Sequence, residues 1–185
     1  MSKENSQNNF IKKIPITLFG KTCVGKTALI YRIIKLEYED FVETNENYCT
    51  PNIKINNKEY RLDILDTGGV KEKFKEFSEG WIKYGNCFIL VYSINDKNSF
   101  EEINAIYERI CQTKNKKSIS IILVGNKCDL KDEREVTEEE GKKNAKSKGM
   151  LFLETSAKDN YNVNEVFETV ANDYLKKSGG FCNCF

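Results

Sequence analysis

The stretch GKTCVGKT, residues 20–27, decides the fold, because it places two glycines, a lysine and a threonine at one particular spacing. It follows the apolar run IPITLF and precedes ALIYRIIK, which has a helical pattern. The spacing matches G-x-x-x-x-G-K-[ST], a loop whose backbone N–H groups turn inward around phosphate oxygens at a helix N-terminus. The sequence therefore predicts a phosphate loop between a strand and a helix, formed by Gly20, Lys21, Thr22, Cys23, Val24, Gly25, Lys26, Thr27 and Ala28.

Two side chains of this loop have chemical roles in the pattern. Lys26 is expected to reach the β- and γ-phosphates of a nucleotide, and the Thr27 hydroxyl is expected to bind Mg²⁺. An ordinary glycine-rich turn is the alternative interpretation. The position of the loop between a strand and a helix favours phosphate binding, because the geometry of the motif requires that context.

Short apolar runs alternate with helical patterns along the rest of the chain, which indicates an α/β fold with a mostly parallel sheet. Runs such as FILVY and ISIILV are apolar throughout, as strands covered by helices on both faces must be. Asn56 and Asn57 form a hairpin-like dipeptide, which predicts one antiparallel pair. The predicted strands cover residues 14–20, 52–56, 60–65, 87–93, 119–124 and 150–154, and the predicted helices cover residues 26–35, 99–113, 137–148 and 164–177. Thr137 and Glu140 have capping-box spacing at the start of the third helix.

Composition limits the classes of function. The chain has 185 residues, with 29 Lys and Arg against 28 Asp and Glu, so no overall basic charge indicates nucleic-acid binding. Seven scattered cysteines and a polar N-terminus without an apolar signal segment favour a reduced, cytosolic chain. We expect a disordered arm at residues 1–13, one domain at 14–177 and a flexible tail at 178–185.

The segment NKCD, residues 126–129, follows the buried strand ISIILVG at the edge where open α/β sheets bind ligands. A carboxylate at Asp129 accepts two hydrogen bonds, and guanine offers N1–H and an amine side by side, whereas adenine presents an acceptor there. The motif therefore predicts guanine recognition by Asn126, Lys127 and Asp129. Taken alone, NKCD would be read as a solvated polar loop, and its pairing with the phosphate loop reverses that interpretation.

A weaker signal, ETSAK at residues 154–158, follows the last predicted strand. The N–H of Ala157 could reach the guanine carbonyl, with Ser156 bracing the loop and Lys158 completing it.

These motifs, together with LDILDTGG (62–69) and SINDKNSFEEI (93–103), resemble the small GTPases of the Ras superfamily, and LDILDT resembles the Ras subfamily most. The resemblance implies a P-loop GTPase domain with a six-stranded sheet and five helices, which binds GTP or GDP with Mg²⁺ and hydrolyses GTP to GDP and phosphate. It further implies that Asp66 holds Mg²⁺ through water, that the Gly69 N–H senses the γ-phosphate, and that the nucleotide also contacts Thr67 and Gly68.

The first switch segment is expected in EYEDFVETNENYCTPN, residues 37–52. The resemblance places Thr44 where the family has a threonine that contacts Mg²⁺ and the γ-phosphate, with Thr50 as the alternative. Tyr38 is expected to pack edge-on against guanine, and its alternative role is that of a core tyrosine.

Two residues depart from the resemblance near the γ-phosphate. Thr22 stands where the Ras subfamily usually has glycine, which leaves room for a water and an incoming arginine. Val70, which is not itself catalytic, stands where a glutamine is expected to orient the attacking water, and valine has no hydrogen-bonding group. We therefore expect weak intrinsic hydrolysis, unless another residue or a partner supplies the missing group.

The tail KKSGGFCNCF places Cys182 at the cysteine of a C-a-a-X sequence, and a terminal Phe favours geranylgeranyl over farnesyl. Prenylation of Cys182 would anchor the chain to the cytoplasmic face of a membrane, the plasma membrane being our expectation. Cys184 is either a second lipid site or removed.

The leading hypothesis is a signalling switch whose partners are guanine nucleotide, an exchange factor, an effector and an activating protein, with no nucleic acid. The first alternative is a GTPase-deficient scaffold that stays bound to GTP, which Thr22 and Val70 favour. The second is a kinase or ATPase with the same phosphate loop, which NKCD disfavours.

Overall fold

The computed structural model describes residues 11–34, 47–68 and 74–179. These ranges contain seven strands and five α-helices, in the mixed order that is typical of an α/β chain. The strands are β1 (Lys12–Phe19), β2 (Asn47–Cys49), β3 (Asn52–Ile55), β4 (Lys58–Asp66), β5 (Cys87–Ser93), β6 (Ser120–Asn126) and β7 (Leu151–Glu154). The helices are α1 (Lys26–Ile33), α2 (Phe74–Tyr84), α3 (Lys97–Thr113), α4 (Glu138–Lys148) and α5 (Val163–Lys177).

The strands form one sheet with the order β2-β4-β1-β5-β6-β7, and β3 also pairs with β4. Strand β1 pairs in parallel with β4 and β5, and β5, β6 and β7 continue in parallel. The carboxyl ends of β1, β4, β5, β6 and β7 therefore meet along one edge of the sheet, which we call the carboxyl edge. The α/β fold class predicted from the sequence is confirmed.

The antiparallel part of the sheet is split in two, which accounts for seven strands where six were expected. Asn47 lies opposite Asp66 in β2 and Asn52 lies opposite Arg61 in β3, so both segments keep one register against β4. The interruption falls at Thr50 and Pro51, because proline has no N–H to donate to a ladder. The Pro51 carbonyl still accepts a hydrogen bond from the Leu62 N–H at 2.9 Å.

Helices bury both faces of the sheet. One face packs against α1 and α5 through side chains such as Leu29 and Phe167. The other face packs against α2, α3 and α4 through side chains such as Trp81, Ile103 and Ala145. Strands β5 and β6 are buried along their whole length, which explains their unbroken apolar sequences.

Element boundaries mostly agree with the sequence pattern. Strand β5 has the predicted limits, the Asn56–Asn57 turn has positive φ at both residues, and the Thr137 capping box is present on α4. Strand β1 begins two residues earlier than predicted, because Lys12 pairs with Tyr60. The pattern did not predict β2 or α2. Among the described helices, none is long and apolar enough to cross a membrane.

Candidate nucleotide-binding site

The phosphate loop connects β1 to α1 at the carboxyl edge of the sheet. Cys23 and Gly25 both have positive φ, 65° and 96°, which turns the chain sharply before α1 begins at Lys26. Gly25 is the N-cap, and no side chain caps the helix there. The first N–H groups of α1 therefore face a site where an anion is the natural partner, as in other loops of this shape. Thr22 and Cys23 are exposed, whereas Val24 is buried and Ala28 is half-buried.

The two glycines of the loop are required by close approaches within the protein. A Cβ atom on Gly20 would lie 2.1 Å from the Val91 carbonyl oxygen of β5. A Cβ atom on Gly25 would lie 2.3 Å from the side-chain nitrogen of Asn126. Only glycine fits either position, so the loop is packed directly on the ends of β5 and β6.

Lys26 is buried beneath the loop. Its Nζ donates hydrogen bonds to the Gly20 and Lys21 carbonyl oxygens, both at 2.9 Å. Burial lowers the pKa of Lys26 to about 8, and the nearby Asp66 carboxylate partly opposes this effect. A phosphate oxygen at this position would restore a full counter-charge to the ammonium group.

Thr27 and Asp66 bring oxygen ligands together at the start of α1 and the end of β4. The Thr27 hydroxyl donates a hydrogen bond to the Asp66 carboxylate, which is fully buried and also accepts the Gly68 N–H at 3.1 Å. A hydroxyl and one carboxylate fit Mg²⁺, which binds proteins through few carboxylates and takes its other ligands from water and phosphate. The donor chemistry is therefore right for this ion. The Thr67 hydroxyl instead bonds the Leu18 carbonyl at 2.8 Å and fixes the end of β4 against β1.

Asn126 joins the phosphate loop to the ETSAK loop. Its side-chain nitrogen donates to the Val24 carbonyl at 2.8 Å. Its side-chain oxygen accepts from the Thr155 hydroxyl at 3.0 Å and from the Ala157 N–H at 3.4 Å. One buried amide thus connects three segments that are far apart in the sequence.

Asp129 and Ser156 also contact each other. The Ser156 hydroxyl donates to an Asp129 carboxylate oxygen at 2.6 Å and accepts the Asp159 N–H at 3.0 Å, so Ser156 braces the loop as the sequence predicts. A carboxylate accepts several hydrogen bonds, so Asp129 keeps the capacity to accept two more from a base. Lys127 has a φ of 64° and is half-buried, and Lys158 is exposed.

Two supporting residues were missed by the sequence analysis. Arg32 on α1 donates to the Ala157 and Lys158 carbonyl oxygens, both at 2.7 Å, and so ties the ETSAK loop to α1. Asp96 caps α3 through the Ser99 N–H and forms a 2.9 Å ion pair with Lys21 of the phosphate loop. No local signal marks these pairs, because the partners lie more than 70 residues apart in the chain.

The structure brings together the predicted residues of the phosphate loop, Asp66, Thr67 and Gly68, and the 126–129 and 156–158 loops. The other predicted site residues lie outside the described ranges: Tyr38, Thr44, Gly69, Val70 and Cys182. The alternative switch threonine, Thr50, is described. It is exposed between β2 and β3, and its hydroxyl accepts a 2.8 Å hydrogen bond from Arg61.

Comparison with known proteins agrees with this geometry. Residues 15–176 match the Ras family. The chain is 39% identical to a Ras-like protein, rasB of Dictyostelium discoideum, over 88% of this chain and 82% of that protein. It is 38% identical to the Ras-related protein Rab-17 of Mus musculus, over 89% of this chain and 77% of that protein. The two identities differ by one percentage point, so they do not favour one branch over the other.

Proposed function

The chain belongs to the Ras family, and from this premise we propose that it is a small GTP-binding switch whose own GTP hydrolysis is slow. Members of the family are GTPases that bind GTP or GDP together with Mg²⁺. The proposal extends this family property to particular residues of this chain and to the rate of the reaction.

The observation that carries the assignment is the set of three hydrogen bonds made by the Asn126 side chain. Its amide bonds the phosphate loop through Val24 and the ETSAK loop through Thr155 and Ala157. The surfaces proposed for phosphate and for base are thereby held in one arrangement, as recognition of a single nucleotide requires. Asp129 would accept guanine N1–H and the exocyclic amine, with Lys127 alongside.

Each group at the phosphate end has a separate role. Lys26 and the N-terminal N–H groups of α1 would hold the β- and γ-phosphates, where charge develops during phosphoryl transfer. Thr27 would bind Mg²⁺ directly and Asp66 would hold it through water, while the ion supplies charge neutralisation between the two phosphates. The N–H of Gly69 is proposed to contact the γ-phosphate.

The geometry of β2 supports Thr44 over Thr50 as the switch threonine. Asn47 lies opposite Asp66, so Thr50 is three residues further along the chain, about 10 Å from the Asp66 position. Its hydroxyl is also engaged with Arg61. Thr44 therefore remains our proposed ligand of Mg²⁺, and Tyr38 remains our proposed contact to guanine.

The proposal of slow hydrolysis rests on two side chains that the family resemblance assigns to the surroundings of the γ-phosphate. Thr22 adds a β-branched side chain at an exposed position of the phosphate loop, where an activating arginine would enter. Val70 offers no group that could orient a water molecule. Both changes affect the same transition state, so neither alone is expected to account for the whole effect.

We predict that the double variant Thr22→Gly with Val70→Gln hydrolyses GTP faster when an activating protein is present. In Ras, where both features exist, such a protein accelerates hydrolysis about 10⁵-fold, so restoring them should recover on the order of 10²-fold or more. Single-turnover hydrolysis of preloaded GTP measures this rate, with each single variant as a control. A wild-type chain that is already as fast as the double variant would show that another residue positions the water.

The competing function is a scaffold that remains bound to GTP. Thr22 and Val70 favour it for the same reason that they slow hydrolysis. The nucleotide released from gently purified protein separates the two functions, because a switch yields mainly GDP and a scaffold mainly GTP. Competition between GTP and ATP on the same sample tests the base preference, and displacement by ATP would point to a kinase or ATPase instead.

We further propose that the switch acts at the cytoplasmic face of a membrane, with the plasma membrane as our first choice. A prenyl group on Cys182 would provide the anchor. An exchange factor, an effector and an activating protein would be its protein partners.

A further inference from the structure

Lysines are concentrated at the amino ends of the strands, on the side of the sheet opposite the carboxyl edge and the nucleotide site. They stand at the end of α2, in the connection after α3, at the end of α4 and at the end of α5. Because β5, β6 and β7 are parallel neighbours, these four segments lie side by side at the amino ends of the strands. We call this surface the lysine pole, and it consists of Lys83, Lys114, Lys116, Lys117, Lys146, Lys148, Lys176 and Lys177.

Direct contacts connect the four segments of the pole. Lys114 Nζ donates to the Lys83 carbonyl at 2.8 Å. Lys116 and Lys148 both place their ammonium groups over the ring of Tyr107, at 4.8 and 5.7 Å from its centroid.

A further hydrogen bond connects α5 to the other three segments. Lys177 Nζ donates to the Ile119 carbonyl at 3.2 Å, which joins the end of α5 to the connection before β6. These contacts join the four segments that carry the eight lysines.

Few carboxylates balance this charge. Within the four lysine-bearing segments (83–86, 114–119, 146–150 and 173–179), the one acid is Asp173, which pairs with Lys177 at 2.7 Å. Glu79, one turn earlier on α2, pairs with Lys83 at 3.6 Å. The whole chain has 29 basic and 28 acidic residues, so the near-neutral total conceals a strong separation of charge.

Helix dipoles explain only part of the pattern. A lysine in the last turn of a helix is stabilised by the carbonyl end of that helix, and α4 shows this arrangement with three glutamates in its first turn and Lys146 and Lys148 in its last. Lys116 and Lys117, however, lie beyond the end of α3, and Lys117, Lys146 and Lys176 are exposed. On the surface that the structure describes, Lys117, Lys146 and Lys176 are therefore accessible to a partner outside the chain.

The tail of the chain leaves from the same pole. Gly179 is the second residue after α5, and Cys182 is three residues further on. Three extended residues span about 10 Å, so a membrane-inserted group on Cys182 would hold the pole within roughly one Debye length of the surface. At that distance, lysines interact with anionic headgroups.

We propose that the lysine pole docks on an anionic lipid surface and turns the nucleotide site away from the membrane. The partner is a bilayer that contains phosphatidylserine or a similar acidic lipid. The argument from the tail depends on the lipid anchor in the proposed function, whereas the charge and position of the pole do not.

The test uses the full-length chain without a prenyl group, loaded with GDP, and measures co-sedimentation with vesicles. One set of vesicles is phosphatidylcholine alone, and the other contains phosphatidylserine as well. The pole variant is Lys117→Gln/Lys146→Gln/Lys176→Gln. Its matched control is Lys97→Gln/Lys131→Gln/Lys143→Gln, which removes three exposed lysines outside the pole and so changes the net charge equally.

We expect salt-sensitive binding to the acidic vesicles alone. Each lysine near an anionic surface raises the partition coefficient of the protein onto the vesicles by about fivefold. The partition coefficient of the pole variant should therefore fall on the order of 100-fold, while that of the control variant should fall little. Equal losses in both variants, equal binding to neutral vesicles, or no binding at all would overturn the proposal. GDP and GTP affinities of the same proteins keep the two proposals separate, because loss of guanine selectivity bears on the switch and not on the pole.

Discussion

Asn126 illustrates how a single residue can do more than its motif predicts. The sequence places it beside guanine, and the structure shows its amide holding the Val24 carbonyl, 102 positions away in the chain. The glycines of the phosphate loop have a similar second role, because they pack against Val91 and Asn126. The motif assigns these residues to the nucleotide site, but long-range contacts of this kind leave no local pattern in the sequence.

Asp129 provides the sharpest test of base recognition. We predict that Asp129→Asn shifts the preference of the chain from guanine to xanthine, because an amide donates where the carboxylate accepted and xanthine has a carbonyl in place of the amine. Competition of GDP and XDP for the purified variant measures the shift. Undiminished guanine selectivity would remove Asp129 from the base contact.

Substitution of Arg32 tests whether α1 holds the ETSAK loop in place. Arg32→Ala removes both hydrogen bonds to the Ala157 and Lys158 carbonyl oxygens. Bonds from a charged donor contribute about 1.5–3 kcal/mol in favourable cases, so we predict GDP release faster by on the order of tenfold. Stopped-flow release of a fluorescent GDP analogue measures the rate.

The matched control for Arg32→Ala is Arg109→Ala, which removes an exposed arginine on α3. Arg32→Lys, which keeps the charge and can form one of the two bonds, should fall between the wild type and Arg32→Ala. An unchanged release rate in Arg32→Ala would mean that the ETSAK loop holds its conformation without α1.

Among the elements, α4 packs unusually close to the sheet. A Cβ atom on Gly141 would lie 2.5 Å from the Phe152 ring and 2.6 Å from the Tyr92 hydroxyl, whereas a Cβ on Gly80 of α2 would meet none of the described atoms within 4 Å. We predict that Gly141→Ala lowers the free energy of unfolding by about 1–3 kcal/mol through overpacking.

The same substitution at Gly80 is the control. Gly80→Ala should raise the free energy of unfolding by up to about 1 kcal/mol, since alanine is the better helix former. Urea unfolding at one fixed GDP concentration measures both variants, because bound nucleotide itself adds stability. A stabilised Gly141→Ala variant would show that α4 can move away from β7 at little cost.

The elements differ in how well the sequence predicts them, for physical reasons. Strand β5 is buried along its length, so its apolar run marks both ends. Helix α2 was not predicted, because Gly80 weakens its helical propensity and burial of Trp81 and Ile82 in the tertiary structure stabilises it instead. The break at Pro51 was also missed, since the register that unites β2 and β3 depends on β4.

For the molecule as a whole, the position of the tail leads to a prediction about location. Cys182→Ser removes the proposed prenylation site, and we predict a shift of the chain from the membrane fraction to the soluble fraction of cells. The lysine pole alone binds reversibly, so it should not retain the protein after fractionation. Immunoblots of both fractions measure the shift, with Cys184→Ser as the matched variant. Unchanged membrane recovery of Cys182→Ser would rule out this anchor.

The overall architecture was predictable because buried parallel strands and a phosphate loop each leave a clear sequence signal. The concentration of lysine at the amino ends of the strands was not predictable from composition, because eight lysines from four distant segments meet only when the chain folds. Tyr38, Thr44, Gly69, Val70 and Cys182 remain predictions from the resemblance.

The interrupted strand opposite β4 also bears on aggregation. The edge of a sheet can recruit strands from other copies, and short strands, proline and lysine are common protections against this. On one side of the sheet, Thr50 and Pro51 divide the outermost strand into β2 and β3, of three and four residues, and β3 carries Lys54. On the other side, the outermost strand is β7, which has four residues. Over the residues that the structure describes, neither edge strand offers a long template for pairing, which would keep neighbouring copies separate even when a shared surface crowds them together.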